Sequence, residues 1–107
     1  MQTRPDVFAA IGDPTRRQIL FLLTAGALSV NTLAQNFDIS RPAVSKHIKT
    51  LEETGLIHIA DSGRERLCTL NPAGFQEIRD WLAFYEQFWQ NSLKKLGDLL
   101  DRKAAGK

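Results

Sequence analysis

From Ser40 to Lys49 the chain sets out three cations, Arg41, Lys46 and Lys49, and two hydroxyls, Ser40 and Ser45, without a single carboxylate. Guanidinium and ammonium groups donate to phosphate oxygens and to the acceptor edge of guanine, and serine hydroxyls reach either. The chemistry on offer is recognition of a duplex nucleic acid, or else only a solvated basic face. His47, within the same run, has two open readings: a phosphate or base contact, or packing against a neighbouring helix. Catalytic chemistry is not on offer, because no paired carboxylates, nucleophile with base, or glycine-rich phosphate loop stands at useful spacing. Asp13 beside Pro14 reads as a helix cap and Glu52-Glu53 as a solvated helix end. No catalytic residue and no enzymatic activity are expected.

Such side chains need a rigid element beneath them. Val44, Ile48 and Leu51 follow the i, i+4, i+7 rule for one buried helical stripe, which puts Arg41, Pro42, Ser45, Lys46 and Lys49 on the other side. Ser40 serves as N-cap, Pro42 is tolerated in the first turn, and Gly55 can close the helix in a left-handed conformation. Residues 39–54 therefore form a recognition helix. Upstream, Asp6 to Ile11 reads as a short helix interrupted at Gly12. Asp13-Pro14 restarts the chain for a second helix to about Thr24, with Ile19, Leu20 and Leu23 as its core stripe. Ser29 caps a third helix through about Asn36, with Val30, Leu33 and Ala34 inward, and the Phe37-Asp38-Ile39 turn joins it to the basic helix. The pair makes a helix-turn-helix.

Residues 56–70 read as a β-hairpin: Leu56 to Ala60 and Glu65 to Leu70 alternate as strands, with Asp61-Ser62-Gly63-Arg64 between them. A hairpin directly behind such a helix is a wing, with Arg64 and Arg66 at or near its tip beside DNA phosphate or the minor groove. Asn71-Pro72 opens a long helix, 72–101, spanning roughly 45 Å at 1.5 Å per residue. Ile78, Trp81, Leu82, Tyr85, Phe88, Trp89, Leu93, Leu96, Leu99 and Leu100 give it apolar positions over more than one stripe. A helix of that kind must be covered on more than one side. A homodimer interface through Trp81, Leu82, Tyr85, Phe88, Trp89, Leu93 and Leu96, with Phe8 contributing from the first helix, is expected ahead of packing on its own domain or an aromatic-ligand pocket. Gly97 loosens the last turns, and fraying is expected from Ala104 to Lys107.

At 107 residues, 43% hydrophobic and 24% charged, the chain has the composition of one soluble domain, 1–107. The expected class is mostly α with a small β-hairpin: a winged helix-turn-helix that dimerises through its terminal helices. A domain this small buries only about two-thirds of its unfolded-chain surface, so a partner subunit would add useful burial. A net charge of +2 does not mark a nucleic-acid binder, which makes the position of the cations decisive. Met1-Gln2-Thr3-Arg4 leads into a helical pattern without an apolar signal core or bilayer-length run, so a cytoplasmic location and no membrane partner are expected. The single cysteine, Cys68, reads as a buried, inert thiol.

In this order the elements resemble the ArsR family of bacterial winged-helix repressors over nearly the whole chain. The likeness rests on three segments: Ile11 to Leu20 with its Gly-Asp-Pro-Thr-Arg run, Ile39 to Leu51, and Gly55-Leu56-Ile57 with Gly63-Arg64. MarR-like winged helices share the general layout. The resemblance implies a dimer that binds a near-palindromic operator on double-stranded DNA and represses transcription, often of its own operon. It also implies where a metal would sit, and there the chain departs: Ser29 and Asn31 occupy the third-helix cysteine positions, and the long helix has no histidine. No metal site and no cofactor are expected, and no effector is identified; the chain looks like the family's metal-free subgroup. Two other readings stay open, a winged-helix module that binds another protein and a sensor with a nonstandard metal or small-molecule site.

Overall fold

A computed structural model describes residues 6–105. It divides into two compact units, residues 1–76 and 77–107.

In the first unit three of the helices start where a short polar side chain takes up an orphan amide. Helix α1 (Val7–Ile11) follows Asp6 and stops at Gly12. Helix α2 (Pro14–Leu23) begins with Pro at N1 and with the Asp13 carboxylate accepting from the Arg16 amide at 3.0 Å. Helix α3 (Val30–Ala34) is capped by Ser29, whose hydroxyl oxygen accepts from the Thr32 amide at 3.0 Å. Helix α4 (Arg41–Glu53) is capped by Ser40, which accepts from the Ala43 amide at 3.2 Å. These caps agree with the sequence reading, since each satisfies a donor that the first helical turn leaves unpaired.

The end of α4 is equally determined. Gly55, at φ +83°, donates to the Glu52 carbonyl, and Leu56 donates to the Leu51 carbonyl. These are the two hydrogen bonds of a Schellman motif. Leu51 and Leu56, the apolar pair that accompanies such a closure, are both fully buried.

The hairpin is tighter than expected, and it gains a third strand. Strands β2 (Ile57–Ser62) and β3 (Glu65–Leu70) pair antiparallel, with Ser62 opposite Glu65, so the connection is only Gly63-Arg64. Gly63 has φ +64° and Arg64 has no positive φ, the combination of a type II′ turn whose twist matches the strands. The additional strand, β1 (Leu28–Ser29), pairs antiparallel with β3 through Leu28 opposite Cys68 and Ser29 opposite Leu67. The sheet order is β1-β3-β2, which ties the start of α3 to the wing. Ile19, Leu23, Leu33, Val44, Ile48, Leu51, Leu56, Ile57 and Cys68 form the buried core between the helices and this sheet. Burial pushes the Cys68 thiol above its usual range, which keeps it protonated and inert.

The long helix also begins differently from the expectation of 72–101. Pro72–Phe75 is a 3-10 turn, because Gly74 lies directly against the Gly55 carbonyl, and the Asn71 side-chain amide donates to that same carbonyl at 2.8 Å. Helix α5 then runs Gln76–Ala105, continuing through Ala104 where fraying was expected; Gly106 and Lys107 lie outside the described residues. No helix among the described residues is long and apolar enough to cross a membrane.

The caps and the glycine contacts set measurable stabilities. Asp13→Ala should cost about 1 kcal/mol in chemical denaturation. The Arg16 amide holds the Asp13 carboxyl below the usual aspartate range, with His47 and the Arg16 guanidinium adding to the effect. The stabilisation is therefore present at neutral pH and lost as acidification protonates the cap, and Asp13→Ala should flatten that part of the stability–pH curve. Gly74→Ala would drive a methyl into the Gly55 backbone and should cost at least about 1–3 kcal/mol. Gly97→Ala, with open space around it, should instead stabilise α5 by up to about 1 kcal/mol.

Candidate nucleic-acid interface

Residues four apart on a helix differ by about 40° in direction. Arg41, Ser45 and Lys49 thus form one ridge along α4, beside the stripe that Val44, Ile48 and Leu51 bury. The wing meets this ridge from the other side. Strand alternation puts Arg66 on the face of the buried Cys68, the covered side of the sheet, but nearer the turn of the hairpin.

Two adjoining clefts result. In one, of about 260 Å³, Arg41, Ser45, Arg64 and Arg66 gather with Ser29, Val30, Asn31 and Glu65. In the other, of about 380 Å³, Ser45, Lys49 and Arg66 gather with Val30, Ile48, Glu52 and Ile59. Arg66 makes an ion pair with Asp61 at 3.9 Å, but both side chains are largely exposed and the pair contributes little. A trough flanked by four cations on two rigid elements can grip a phosphate backbone while one element reads base edges.

Of the remaining expected contact residues, Ser40, Pro42 and Lys46 are exposed on the first turns of α4 and line neither cleft. His47 is half-buried, and its Nδ1 lies 3.1 Å from Nη1 of Arg16 and 3.9 Å from the Asp13 carboxylate. Of its two readings the packing contact is present. Sequence spacing missed Asn31, Glu52 and Glu65 in the clefts and Arg16 behind His47. Asn31, Glu65 and Arg16 come from elements that only tertiary structure brings next to the basic ridge, whereas Glu52 lies on α4 itself, one turn past Lys49.

The profile of the bacterial regulatory proteins of the arsR family matches residues 13–58, which run from the α2 cap through α4 into β2. The HTH-type transcriptional regulator Rv2034 of Mycobacterium tuberculosis is 37% identical over 98 residues, covering 91% of this chain and 89% of that protein. The chain belongs to the ArsR family. Among other members, the transcriptional repressor SdpR of Bacillus subtilis is 34% identical over 88 residues, covering 82% of this chain and 98% of SdpR. A crystal structure of an ArsR family transcriptional regulator superposes with a TM-score of 0.72 at 38% identity, covering 78% of this chain and 92% of that one. The fold is accordingly the family's winged helix-turn-helix, with α4 as the second helix of the motif. In this ArsR member Ser29 acts structurally, since besides capping α3 its hydroxyl donates to the Thr32 hydroxyl at 2.9 Å. Among the described residues no three His, Cys, Asp or Glu side chains gather as metal ligands.

The second unit, α5, presents its own surface. Ile78, Leu82, Tyr85, Trp89, Leu96 and Leu99 fall on a three-four spacing that Ser92 completes, flanked by Trp81, Phe88, Leu93 and Leu100. Apart from Ile78 these apolar side chains are all exposed, as is Phe84, which the sequence reading left out. Rings meet along the helix, Trp81 and Tyr85 tilted with centroids 4.9 Å apart and Phe84 and Tyr85 edge to face at 5.0 Å. Trp89→Glu would place a charge in the middle of this face. If a second copy covers this face, as proposed below, sedimentation experiments should show self-association weakened by at least about 100-fold, the equivalent of about 3 kcal/mol.

Proposed function

We propose that the chain is a cytoplasmic, sequence-specific DNA-binding regulator that works as a homodimer and places α4 in the major groove of a near-palindromic operator. The observation that carries this reading is the meeting of Arg41, Ser45 and Lys49 with Arg64 and Arg66 around one trough. In the proposed complex Arg41, Ser45 and Lys46 reach base edges, while Ser40 and Lys49 anchor phosphates and Pro42 rests against the backbone. Arg64 and Arg66 hold the flanking strand.

A second copy is the cover we propose for α5: dimerisation would bury Trp81, Leu82, Tyr85, Phe88, Trp89, Leu93 and Leu96, with Phe8 contributing, and would supply the symmetry of the operator. Two-fold symmetry would set the half-sites about 34 Å apart, so that both recognition helices meet one face of the duplex. Repression follows where such a site overlaps a promoter. The action is binding, with no catalytic step.

Titration against an operator duplex and a random duplex over a range of salt concentrations tests this assignment. Arg41→Ala should cost about 1–3 kcal/mol on the operator and little on random DNA. Arg64→Ala should weaken both and lower the salt slope by about 1. Equal losses on the two duplexes for both variants would contradict the assignment.

A further inference from the structure

The contact between Arg16 and His47 lies behind the recognition helix. The Arg16 guanidinium donates through Nε to the Ala10 carbonyl at 2.7 Å and through Nη2 to the Ala9 carbonyl at 3.1 Å, holding the last turn of α1. Its third nitrogen, Nη1, is the one 3.1 Å from His47 Nδ1. A guanidinium has donors and no acceptor, so this hydrogen bond exists only when Nδ1 carries a lone pair, and the ring proton must then sit on Nε2. A single side chain thereby links α1, α2 and the middle of α4, and the link depends on a protonation state.

We propose that His47 is a positioning residue, which in its neutral form alone fixes the recognition helix through Arg16 against α1 and α2. The inference rests on the DNA-binding reading above. Protonation at Nδ1 removes the acceptor and sets an imidazolium against a guanidinium. The imidazolium's nearest counter-charge is the Asp13 carboxylate 3.9 Å away, already engaged as the cap of α2. The new pairing turns the ring from Arg16 toward Asp13 and shifts α4 relative to α1.

Of the other charged groups on its own helix, Arg41, Lys46, Lys49, Glu52 and Glu53, none forms an ion pair with His47. Helices α1 and α3 carry no charged group, and α2 contributes only Arg16 and Arg17, whose guanidinium donates to the Ile11 carbonyl at 2.7 Å. On β2, His58 and Asp61 are exposed, and Asp61 is paired with Arg66. Histidine is the side chain whose charge ordinarily changes between about pH 5 and 8, which sets the range over which the joint is tested.

The added positive charge on α4 strengthens attraction to any DNA, so affinity alone is a poor readout. The ratio of operator to random-duplex affinity cancels this common term and reports how well α4 is placed. The full chain would be titrated at pH 8.0 and 5.5 at one ionic strength. The wild-type ratio should fall at least about threefold in acid. In His47→Asn, whose side-chain carbonyl stands at the position of Nδ1 and accepts from Arg16 without titrating, the ratio should stay constant. A His47→Asn profile that falls as the wild type does, or a wild-type ratio that does not fall, overturns the proposal.

Ring-nitrogen NMR of the wild-type protein tests the joint without DNA, His58→Gln serving to assign the two histidines. Nδ1 of His47 should be unprotonated at pH 8.0, and a proton there overturns the proposal even if every variant folds poorly. Absence of operator preference at pH 8.0 refutes the DNA-binding reading instead, and the NMR result then decides the joint on its own.

Discussion

Burial of one apolar stripe on α4 is the constraint on which the rest depends. Val44, Ile48 and Leu51 are at most 2% exposed, and each such side chain contributes about 1.5–3 kcal/mol when taken out of water. With that side committed to the core, Arg41, Ser45 and Lys49 have a single direction left. The same stripe continues past the helix end, because the Leu56 amide closes onto the Leu51 carbonyl and both side chains disappear into the core. The Gly55 reversal then delivers β2 beside α4, and the hairpin that follows brings Arg66 to the ridge. Helix α4 and the hairpin behind it are thus positioned by one packing event.

What could be read from the sequence is what local chemistry determines. Asp13, Ser29 and Ser40 announce caps because a short oxygen-bearing side chain reaches only its own helix start, and Gly55 announces a stop because the reversal needs a positive φ. Strand β1 escaped because two residues cannot show alternation; Leu28 and Ser29 become strand only through pairing with Cys68 and Leu67. The 3-10 turn at Pro72–Phe75 likewise arises from the approach of Gly74 to Gly55, which no periodicity encodes. The site divides in the same way. Spacing found the cationic ridge and the two wing arginines, while Asn31, Glu65 and the Arg16 contact of His47 needed distant elements to be placed, and Glu52, on α4 itself, reads in the sequence only as a solvated helix end.

Helix α5 applies the physics of α4 without the same cover within the described chain. Its 30 residues carry apolar side chains on a coiled-coil spacing and on both flanks. Exposed aromatics on this scale mark an association surface rather than a tolerated irregularity. The function proposed from the two units is therefore a joint one: the first reads a half-site, and the second doubles the reading. Membership of the ArsR family fits this division, and Ser29 works here as the cap of α3.

The most direct measurement is hydroxyl-radical footprinting of the purified protein on a duplex enriched from genomic fragments, with the number of chains bound determined on the same complex. A dimeric reader should give two chains per duplex and two protected segments related by a two-fold axis, about one helical turn apart on one face. Failure to enrich any sequence, or a single protected half-site bound by one chain, would contradict it.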